Sequence, residues 1–382
     1  MATILVTVGP IPAQLDSVKF LTNRFKGGLA LRTAHYLAEQ GHAVDVVAWD
    51  HTPLETTLPV RRVRDVVHYV DEVLKEPRDM FVLAAAVANL MPSTPYEGKF
   101  PSHLYEVGER FSIEFEIAPR VIDQVKARYP RSALVGYKLF DGDDNALLRA
   151  ANKTLRESRA TVVFANHPRQ AKHTKWVLTQ DGAVWPASFE EHLRVLDRLA
   201  RSVYYTTQCV GEPDDEPMDD VEKEVYAWFP RHVAKDGAHT YGTFAVRRGE
   251  QGFLTTSRGK KATPGGYALA HVLDVDHGEK RVVCHGQKAT LNAPLLAKIL
   301  EINPRFCIVL HGHDVEENTP EAIRVTEDYT FPGADNDLVH AVVTKPAKVV
   351  WMPRHGWWAG FENIDQMRAF IAQRNAAGAA HA

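Results

Sequence analysis

The chain has 382 residues, 45% of them hydrophobic and 24% charged, with a formal net charge of -3 at neutral pH. That length exceeds what one hydrophobic core commonly serves, so two domains are expected, and the near-balanced charge offers no footprint for nucleic acid or an anionic membrane. Small molecules are therefore the expected ligands, and no apolar run of about 18 residues is present to span a bilayer.

Met1-Ala-Thr-Ile-Leu-Val-Thr-Val enters a strand directly, without a basic region or cleavage site, so no leader is expected. Ile4–Val8 reads as a buried strand, followed by a Gly-Pro turn and a helix in which Ala30, Ala34, Leu37 and Ala38 recur with helical spacing up to Gly41. Ala43–Ala48 is the next apolar run, and further buried strands are expected at Met80–Ala86, Ala133–Tyr137 and Thr161–Ala165, with polar helices between them. Strand, helix and strand within about fifty residues is the pattern of a doubly wound sheet. Residues 1–210 are thus expected to form a three-layer, Rossmann-like α/β domain with a parallel sheet.

Gly211-Glu-Pro-Asp-Asp-Glu-Pro-Met-Asp-Asp220 has two prolines and almost nothing to bury, so residues 211–221 read as an acidic linker. Residues 222–382 read as a second α/β domain with a mixed or antiparallel sheet. Its strands are expected near Thr243–Arg247, Gly252–Thr256, His271–Asp274, Cys307–Leu310 and Ala341–Met352, its helices near Asn292–Ile302 and Asn336–Val343, and Asn375–Ala382 as a frayed end. Cys209, Cys284 and Cys307 are widely spaced and form no Cys-x-x-Cys pair, which argues against a disulfide framework or a thiolate zinc site and makes the cytoplasm the expected compartment.

The sharpest chemical signal is His311-Gly-His313, which closes the apolar run Ile308-Val-Leu310, with His355-Gly356 following Val349-Val-Trp-Met352. Imidazoles at i and i+2 of an extended segment point to one side, and a third from another strand end would complete a three-ligand centre with one position open. Zinc is the default ion; iron, manganese or cobalt would also suit three imidazoles.

Several segments of residues 1–200 resemble, in order, the phosphopantothenoylcysteine synthetase family, the amide-forming ligase of coenzyme A synthesis. They are Leu15-Asp-Ser-Val-Lys-Phe-Leu-Thr-Asn23, Ala84-Ala-Ala-Val-Ala-Asn89 with Glu97-Gly-Lys99, Leu134-Val-Gly-Tyr-Lys-Leu139, and Ala150-Ala-Asn-Lys153 with Val162-Val-Phe-Ala-Asn166. The resemblance implies that CTP or ATP with Mg activates a carboxylate to an acyl nucleotidylate, which an amine captures. It implies catalytic roles for Asn23, Lys138 and Lys153, and nucleotide or phosphate contacts at Gly9, Arg24, Lys26, Gly27, Gly28, Ala86, Lys99 and Asn166. Lysines suit the offsetting of developing phosphate charge, and an asparagine can hydrogen-bond an acyl intermediate without ionising. Three segments depart from the family: its Asn-x-Ser-Ser-Gly loop reads Asn23-Arg-Phe-Lys-Gly-Gly28, its early Gly-Gly-Thr turn reads Val8-Gly-Pro10, and the Glu of its Lys-Leu-Glu-Thr is Phe140. Backbone amides with Arg24 and Lys26 then take the place of the serines, and a substrate other than the family's own is expected. No segment resembles the family's flavin-dependent decarboxylase partner.

Residues 222–370 resemble the class II aldolase and adducin family through Tyr241-Gly-Thr-Phe-Ala-Val-Arg247, Phe253-Leu-Thr-Thr-Ser-Arg-Gly259, Gly286-Gln-Lys-Ala-Thr290, Asn303-Pro304, the His311-Gly-His313 strand, Phe331-Pro-Gly333 and Arg354-His-Gly356. The resemblance implies a divalent metal on His311, His313 and His355, and substrate phosphate held around Thr243, Thr256, Ser257 and Gly259. The family's acidic residue falls at Asn292, which cannot exchange a proton, and the histidine expected after it is missing from Ala293–Ala297. Glu316, Glu317, Glu327 or Asp328 would have to supply the acid, with Glu327 taken as the catalytic candidate.

The reading is a two-domain biosynthetic enzyme that pairs a nucleotide-dependent, carboxylate-activating domain with a metal-dependent, aldolase-like domain acting on a small phosphorylated acid. Two alternatives stand beside it. In one, all chemistry lies in the metal domain, as an aldolase, decarboxylase, epimerase or dehydratase, while the first domain binds a nucleotide-linked substrate. The other is a non-catalytic scaffold. Both resembled families imply a homo-oligomer.

Overall fold

The computed structural model describes residues 1–168, 174–180, 182–202, 205–212, 217–229, 234–236, 239–260, 262–263, 266–313, 323–324, 336–352 and 356–379. The chain divides into two compact units, Met1–Gln180 with Val184–Arg201 and Asp181–Ala183 with Ser202–Ala382. No described helix is long and apolar enough to cross a membrane.

The first unit is built on an eight-stranded sheet. Thr3–Val8 is buried from Ile4 onward, as a strand covered on both faces must be, and it pairs in parallel with Ala43–Trp49 on one side and Met80–Val82 on the other. Parallel pairing continues outward to Val60–Val63 at one end and through Ala133–Leu139 to Val162–Asn166 at the other. In chain order these six strands lie 3-2-1-4-5-6, the doubly wound arrangement, whose switch point falls between Thr3–Val8 and Met80–Val82. Helix Gly28–Glu39 buries Ala30, Thr33, Ala34 and Leu37, one face of a 3.6-residue period, and Gly41 at φ +87° ends it in the left-handed conformation that costs glycine least.

Three details differ from the sequence reading of this half. The run Met80–Ala86 is broken, because the strand ends at Val82 and Ala86–Val87 pairs separately with Pro10–Ile11. The chain leaves the sheet there at the switch point, with the Ala85 amide donating to Thr7 Oγ1 at 3.0 Å. Beyond Val162–Asn166 two antiparallel strands, Thr174–Thr179 and Val184–Ser188, extend the sheet, and helix Phe189–Arg201 follows. Pro186 is tolerated because its strand is the sheet's edge.

The second unit is a nine-stranded mixed sheet. Its order is Thr206–Val210, Arg281–His285, Leu269–Asp276, Phe253–Thr256, Thr243–Arg247, Ile308–Gly312, Gly356–Phe361, Val350–Met352 and Ile323–Arg324. Both outermost pairs are parallel and the rest antiparallel. Alternation along the strands splits the core: Ala245, Val309 and Trp358 face helices Ala293–Ile302 and Asn336–Thr344, while Phe244, Leu310 and Trp357 face helices Asp220–Trp228 and Ile364–Ala379. Each wholly buried side chain of this size contributes roughly 1.5–3 kcal/mol, so the paired indoles Trp357 and Trp358, both 0% exposed, anchor the two faces.

Thr206–Val210, which the sequence reading put before the linker, pairs with Arg281–His285 in this second sheet. The acidic stretch 211–221 also carries structure. Asp219 accepts from the Glu222 amide and Glu222 returns a bond to the Asp219 amide, a capping box that starts helix Asp220–Trp228. Glu222 is 2% exposed because Arg248 Nε donates to it at 2.6 Å, so this acid is buried as one half of an ion pair. Within Ala341–Met352 the helix runs on to Thr344 and only Val350–Met352 is strand, and the alanine-rich end is helical through Ala379.

Candidate functional site

In an open parallel sheet the crevice lies beyond the carboxyl ends of the strands at the switch point, and that is where the first cluster of expected residues meets. Gly9 follows Thr3–Val8 at φ +80°, and Gly27, also at φ +80°, caps helix Gly28–Glu39 without any side-chain bond to the helix amides. A Cβ on Gly27 would sit 2.3 Å from Gly9 N and 2.5 Å from its Cα, so the turn and the helix start touch through bare backbone. The Ala86 amide donates to the Gly9 carbonyl at 2.9 Å. Asn23 Nδ2 donates to the carbonyls of Ala86 and Val87 at 3.0 and 3.1 Å, which uses both of its amide hydrogens and leaves Oδ1 as the acceptor of that side chain. Gly28, Arg24 and Lys26 are exposed around this junction. Unsatisfied amides at a helix start, flanked by two cations, form a ready anion site.

Lys138 and Asn166 lie on neighbouring strands of the same carboxyl edge, with Leu139 paired to Asn166 and Lys138 to Ala165. Asn166 is buried, and its carbonyl accepts from the Phe140 amide at 3.2 Å. Lys153 is not brought to this edge: it lies on the exposed face of helix Asp144–Glu157, 3.7 Å from Glu157, with 73% of its side chain in solvent. Lys99 is exposed on the segment tied to the Leu15–Lys19 turn by the Ser17 amide bonding the Gly98 carbonyl at 2.9 Å.

In the second unit the antiparallel register sets Thr243 opposite His311, and His311 opposite Trp358. His311 is 1% exposed; its Nδ1 donates to the Trp357 carbonyl at 2.9 Å and its ring stacks on Trp358 at 4.1 Å and 12°. That tautomer leaves His311 Nε2 as an acceptor, and His313 Nε2 lies 3.0 Å from it. His313 stands just past the strand, in a bend, and is partly exposed. His355 and Glu327 fall outside the described residues, as do Glu316, Glu317 and Asp328. Among the described residues no group of three or more His, Cys, Asp or Glu side chains is placed to hold a metal ion. The two imidazoles nevertheless fit one: bond lengths of about 2.0–2.1 Å to a tetrahedral centre separate two nitrogens by roughly 3.3 Å, and a carbonyl on the far nitrogen is the usual support of a ligating histidine.

The hydroxyls beside this pair are arranged otherwise than a phosphate cradle. Thr243 Oγ1 lies 2.7 Å from Thr256 Oγ1 and 3.2 Å from Thr255 Oγ1, all three residues being 0% exposed, so these hydroxyls satisfy one another. Ser257 bridges to Ala289, and the Thr290 amide bonds the Thr256 carbonyl at 2.9 Å. Among the described residues Ser257 Oγ and Asn292 Oδ1, both buried, have no hydrogen-bond partner, and Asn292 stands at the start of helix Ala293–Ile302 with no capping bond. Gly259, at φ +78°, is exposed in the turn beyond.

Residues 1–192 match the family described as DFP, the DNA/pantothenate metabolism flavoprotein C-terminal domain. The chain belongs to this family. It is 27% identical over 168 residues to the coenzyme A biosynthesis bifunctional protein CoaBC of Thermococcus kodakarensis, covering 43% of this chain and 40% of that protein, so it spans about two fifths of the length of the curated relative it matches. Among solved structures, the DNA/pantothenate metabolism flavoprotein of Streptococcus pneumoniae aligns with 51% of this chain and 96% of its own at 20% identity and a TM-score of 0.45. YgbL of Klebsiella pneumoniae, a putative aldolase/epimerase/decarboxylase, aligns with 39% of this chain and 79% of its own at 15% identity and a TM-score of 0.28.

Within the DFP-family unit, three polar groups have no role assigned from the sequence. Asp16 accepts from the amides of Val18 and Lys19 at 2.7 and 2.6 Å and of Phe100 at 3.1 Å, and its bond to the Lys19 ammonium holds its carboxyl far below the usual range. His167, next to Asn166, donates to Asp144 Oδ1 at 2.8 Å and to the Phe140 carbonyl at 3.2 Å, and Asp144 raises its pKa. Tyr137 bonds His192 Nε2 at 2.7 Å, and Lys175 lies 5.7 Å from the Tyr137 ring, its ammonium pushed down to about 8 by burial. Asp16 was visible as part of a matched segment; the other two depend on pairings between strands and a helix that no local pattern announces.

Proposed function

We propose that the first unit binds a magnesium nucleoside triphosphate, CTP or ATP, at the switch point and activates a small carboxylate for capture by an amine. The observation that carries this reading is the junction of Gly9, Gly27, Asn23 and Ala86 beyond Thr3–Val8, in a chain of the DFP family. The carboxylate attacks the α-phosphorus and expels pyrophosphate; the amides from Gly27 onward, with Arg24 and Lys26, offset the charge that builds on the phosphate oxygens. Lys138 stands at the strand end as the cation for the acyl oxygen. Asn23 spends both amide hydrogens on carbonyls, so its part is to accept, through Oδ1, from the incoming amine. Lys153 takes no part in this scheme, being turned to solvent. Similarity to a coenzyme A biosynthesis bifunctional protein supports a biosynthetic ligase-like role.

The second unit would hold a divalent metal, zinc by default, through His311 and His313, with His355 as the expected third ligand. A bound divalent ion would polarise a substrate carbonyl. This chain's own residues supply orientation: the Trp357 carbonyl fixes the His311 tautomer, and Trp358 fixes the ring plane. Asn292 cannot move a proton, so an acid such as Glu327 must. The convergence of the two imidazoles favours a working second site over a scaffold. A homo-oligomer is supported by the exposed apolar side chains of Leu104, Val107, Phe111, Ile113 and Ile117 in the arm around strand Phe115–Ile117.

Exchange of labelled pyrophosphate into CTP or ATP, measured on the full chain with phosphorylated and unphosphorylated carboxylates, tests the ligase reading. Exchange that requires a carboxylate supports it; none with either nucleotide and any acid would remove it.

A further inference from the structure

Two cysteines that lie 75 positions apart in the sequence become neighbours in the second sheet. Thr206–Val210 runs parallel to Arg281–His285 in a register that sets Cys209 directly opposite Cys284. Paired residues of adjacent strands point to the same face with backbones about 4.8 Å apart, within the roughly 4.4–6.8 Å between Cα atoms that disulfides accept. Both are free thiols, Cys209 exposed and Cys284 buried. Thr206–Val210 is the edge of the sheet, bonded on one side only, so it can give the fraction of an ångström that a sulfur-sulfur bond needs.

The surroundings suit thiol chemistry. The neighbouring Ala289 amide favours the Cys284 thiolate. The Arg258 guanidinium donates to Thr207 Oγ1 at 2.9 Å, two residues before Cys209 and hence on the same face, and its charge acts on Cys284 as well. Burial acts the other way and raises the Cys284 thiol, which leaves exposed Cys209 as the group that meets an oxidant first. Cys307 is on Ile308–Gly312's leading edge, bonded weakly to the Arg305 carbonyl at 3.8 Å, and takes no part.

We propose that Cys209 and Cys284 are a reversible oxidation site that a peroxide closes to a disulfide. The Cys209 thiolate attacks one peroxide oxygen and breaks the O–O bond, giving a sulfenic acid and, from hydrogen peroxide, water. The Cys284 sulfur then attacks the sulfenic sulfur, the S–O bond breaks, and the hydroxyl leaves with the thiol proton as a second water. Two sulfurs lose two electrons and the peroxide gains them; a dithiol reverses the change by thiol-disulfide exchange. The closed bond fastens the edge strand to the sheet next to the Ser257–Ala289 bridge, and so to the segment leading into Thr290 and Asn292.

The test treats the full chain with a small excess of hydrogen peroxide, blocks remaining thiols with N-ethylmaleimide under denaturing conditions, and maps unreduced peptides by mass spectrometry. The expected result is a Cys209–Cys284 linked peptide, an intact chain two hydrogens lighter before alkylation, and a single blocked thiol at Cys307. Dithiothreitol restores all three thiols. Cys209→Ser, an exposed change, abolishes the link, whereas Cys307→Ser leaves it intact; on oxidation, amide exchange across Thr206–Val210 slows in the wild type and in Cys307→Ser but not in Cys209→Ser. Accumulation of Cys209 sulfinic acid, or of a Cys209 link between two chains, with Cys284 still open to alkylation would overturn the proposal.

Discussion

The two units place their polar groups at the ends of their sheets in opposite ways. The first leaves bare backbone there: Gly9 and Gly27 touch main chain to main chain, and the cations around them are exposed. The second buries side chains: Thr243, Thr255, Thr256 and His311 are all within 1% of full burial and bond to one another or to neighbouring main chain. A site made of backbone tolerates changes of chemistry nearby but no added volume, whereas a site made of buried side chains is sensitive to each donor and acceptor. On the proposed function, backbone amides at this junction would take the place of the family's paired serines.

The largest expected effect tests the second half of that contrast. His311→Ala and His313→Ala should each abolish near-stoichiometric metal, read by inductively coupled plasma mass spectrometry after zinc reconstitution; retention in both variants would break it. Next comes a pH effect in the first unit. Lys175 titrates near 8 when folded and near 10.5 when unfolded, so between those values the unfolded chain binds the extra proton and stability rises with pH. The gain across that window is about 3 kcal/mol at 1.36 kcal/mol per unit. Lys175→Met should flatten this slope in urea midpoints taken from pH 7 to 10, and an unchanged slope would show that the amine is not held in a low-dielectric site. The smallest effect is at Asn23. Its alanine variant loses two hydrogen bonds to carbonyls, about 1–2 kcal/mol in chemical denaturation, with the second unit's metal content unchanged. A change below ~0.3 kcal/mol would mean that the loop is not fastened through Asn23.

Much of this division was legible from residues alone. Buried runs such as Ile4–Val8 and the first four residues of Thr243–Arg247 announce strands because each side chain is apolar or β-branched, and His311-Gly-His313 announces convergence because extended backbone repeats every two residues. Gly356–Phe361 was missed although it is central and buried throughout, because Gly-Trp-Trp-Ala-Gly-Phe lacks the β-branched signature and its place is decided by pairing with Ile308–Gly312. Thr206–Val210 precedes the acidic stretch yet pairs within the second sheet, because the strand that claims it lies some 75 residues further along the chain. The Thr243 and Thr256 hydroxyls read as phosphate ligands, yet cross-strand neighbours consume them, a contact that no spacing rule reveals. Lys153 has the residue type the resemblance calls for, and the structure places its side chain in solvent beside Glu157, an orientation its sequence context does not reveal.

The most direct test of the account is isothermal titration of the full chain with CTP and with ATP, each with magnesium, comparing wild type with Gly27→Ala. A Cβ at that position would fall 2.3 Å from Gly9 N, at a backbone angle of +80° that L side chains rarely adopt. The account predicts one saturable nucleotide site per chain in the wild type, weakened at least tenfold, about 1.4 kcal/mol, in Gly27→Ala while zinc binding in the second unit is unchanged. Absence of binding with both nucleotides, or equal affinity in the two proteins, would contradict a nucleotide site at the switch point.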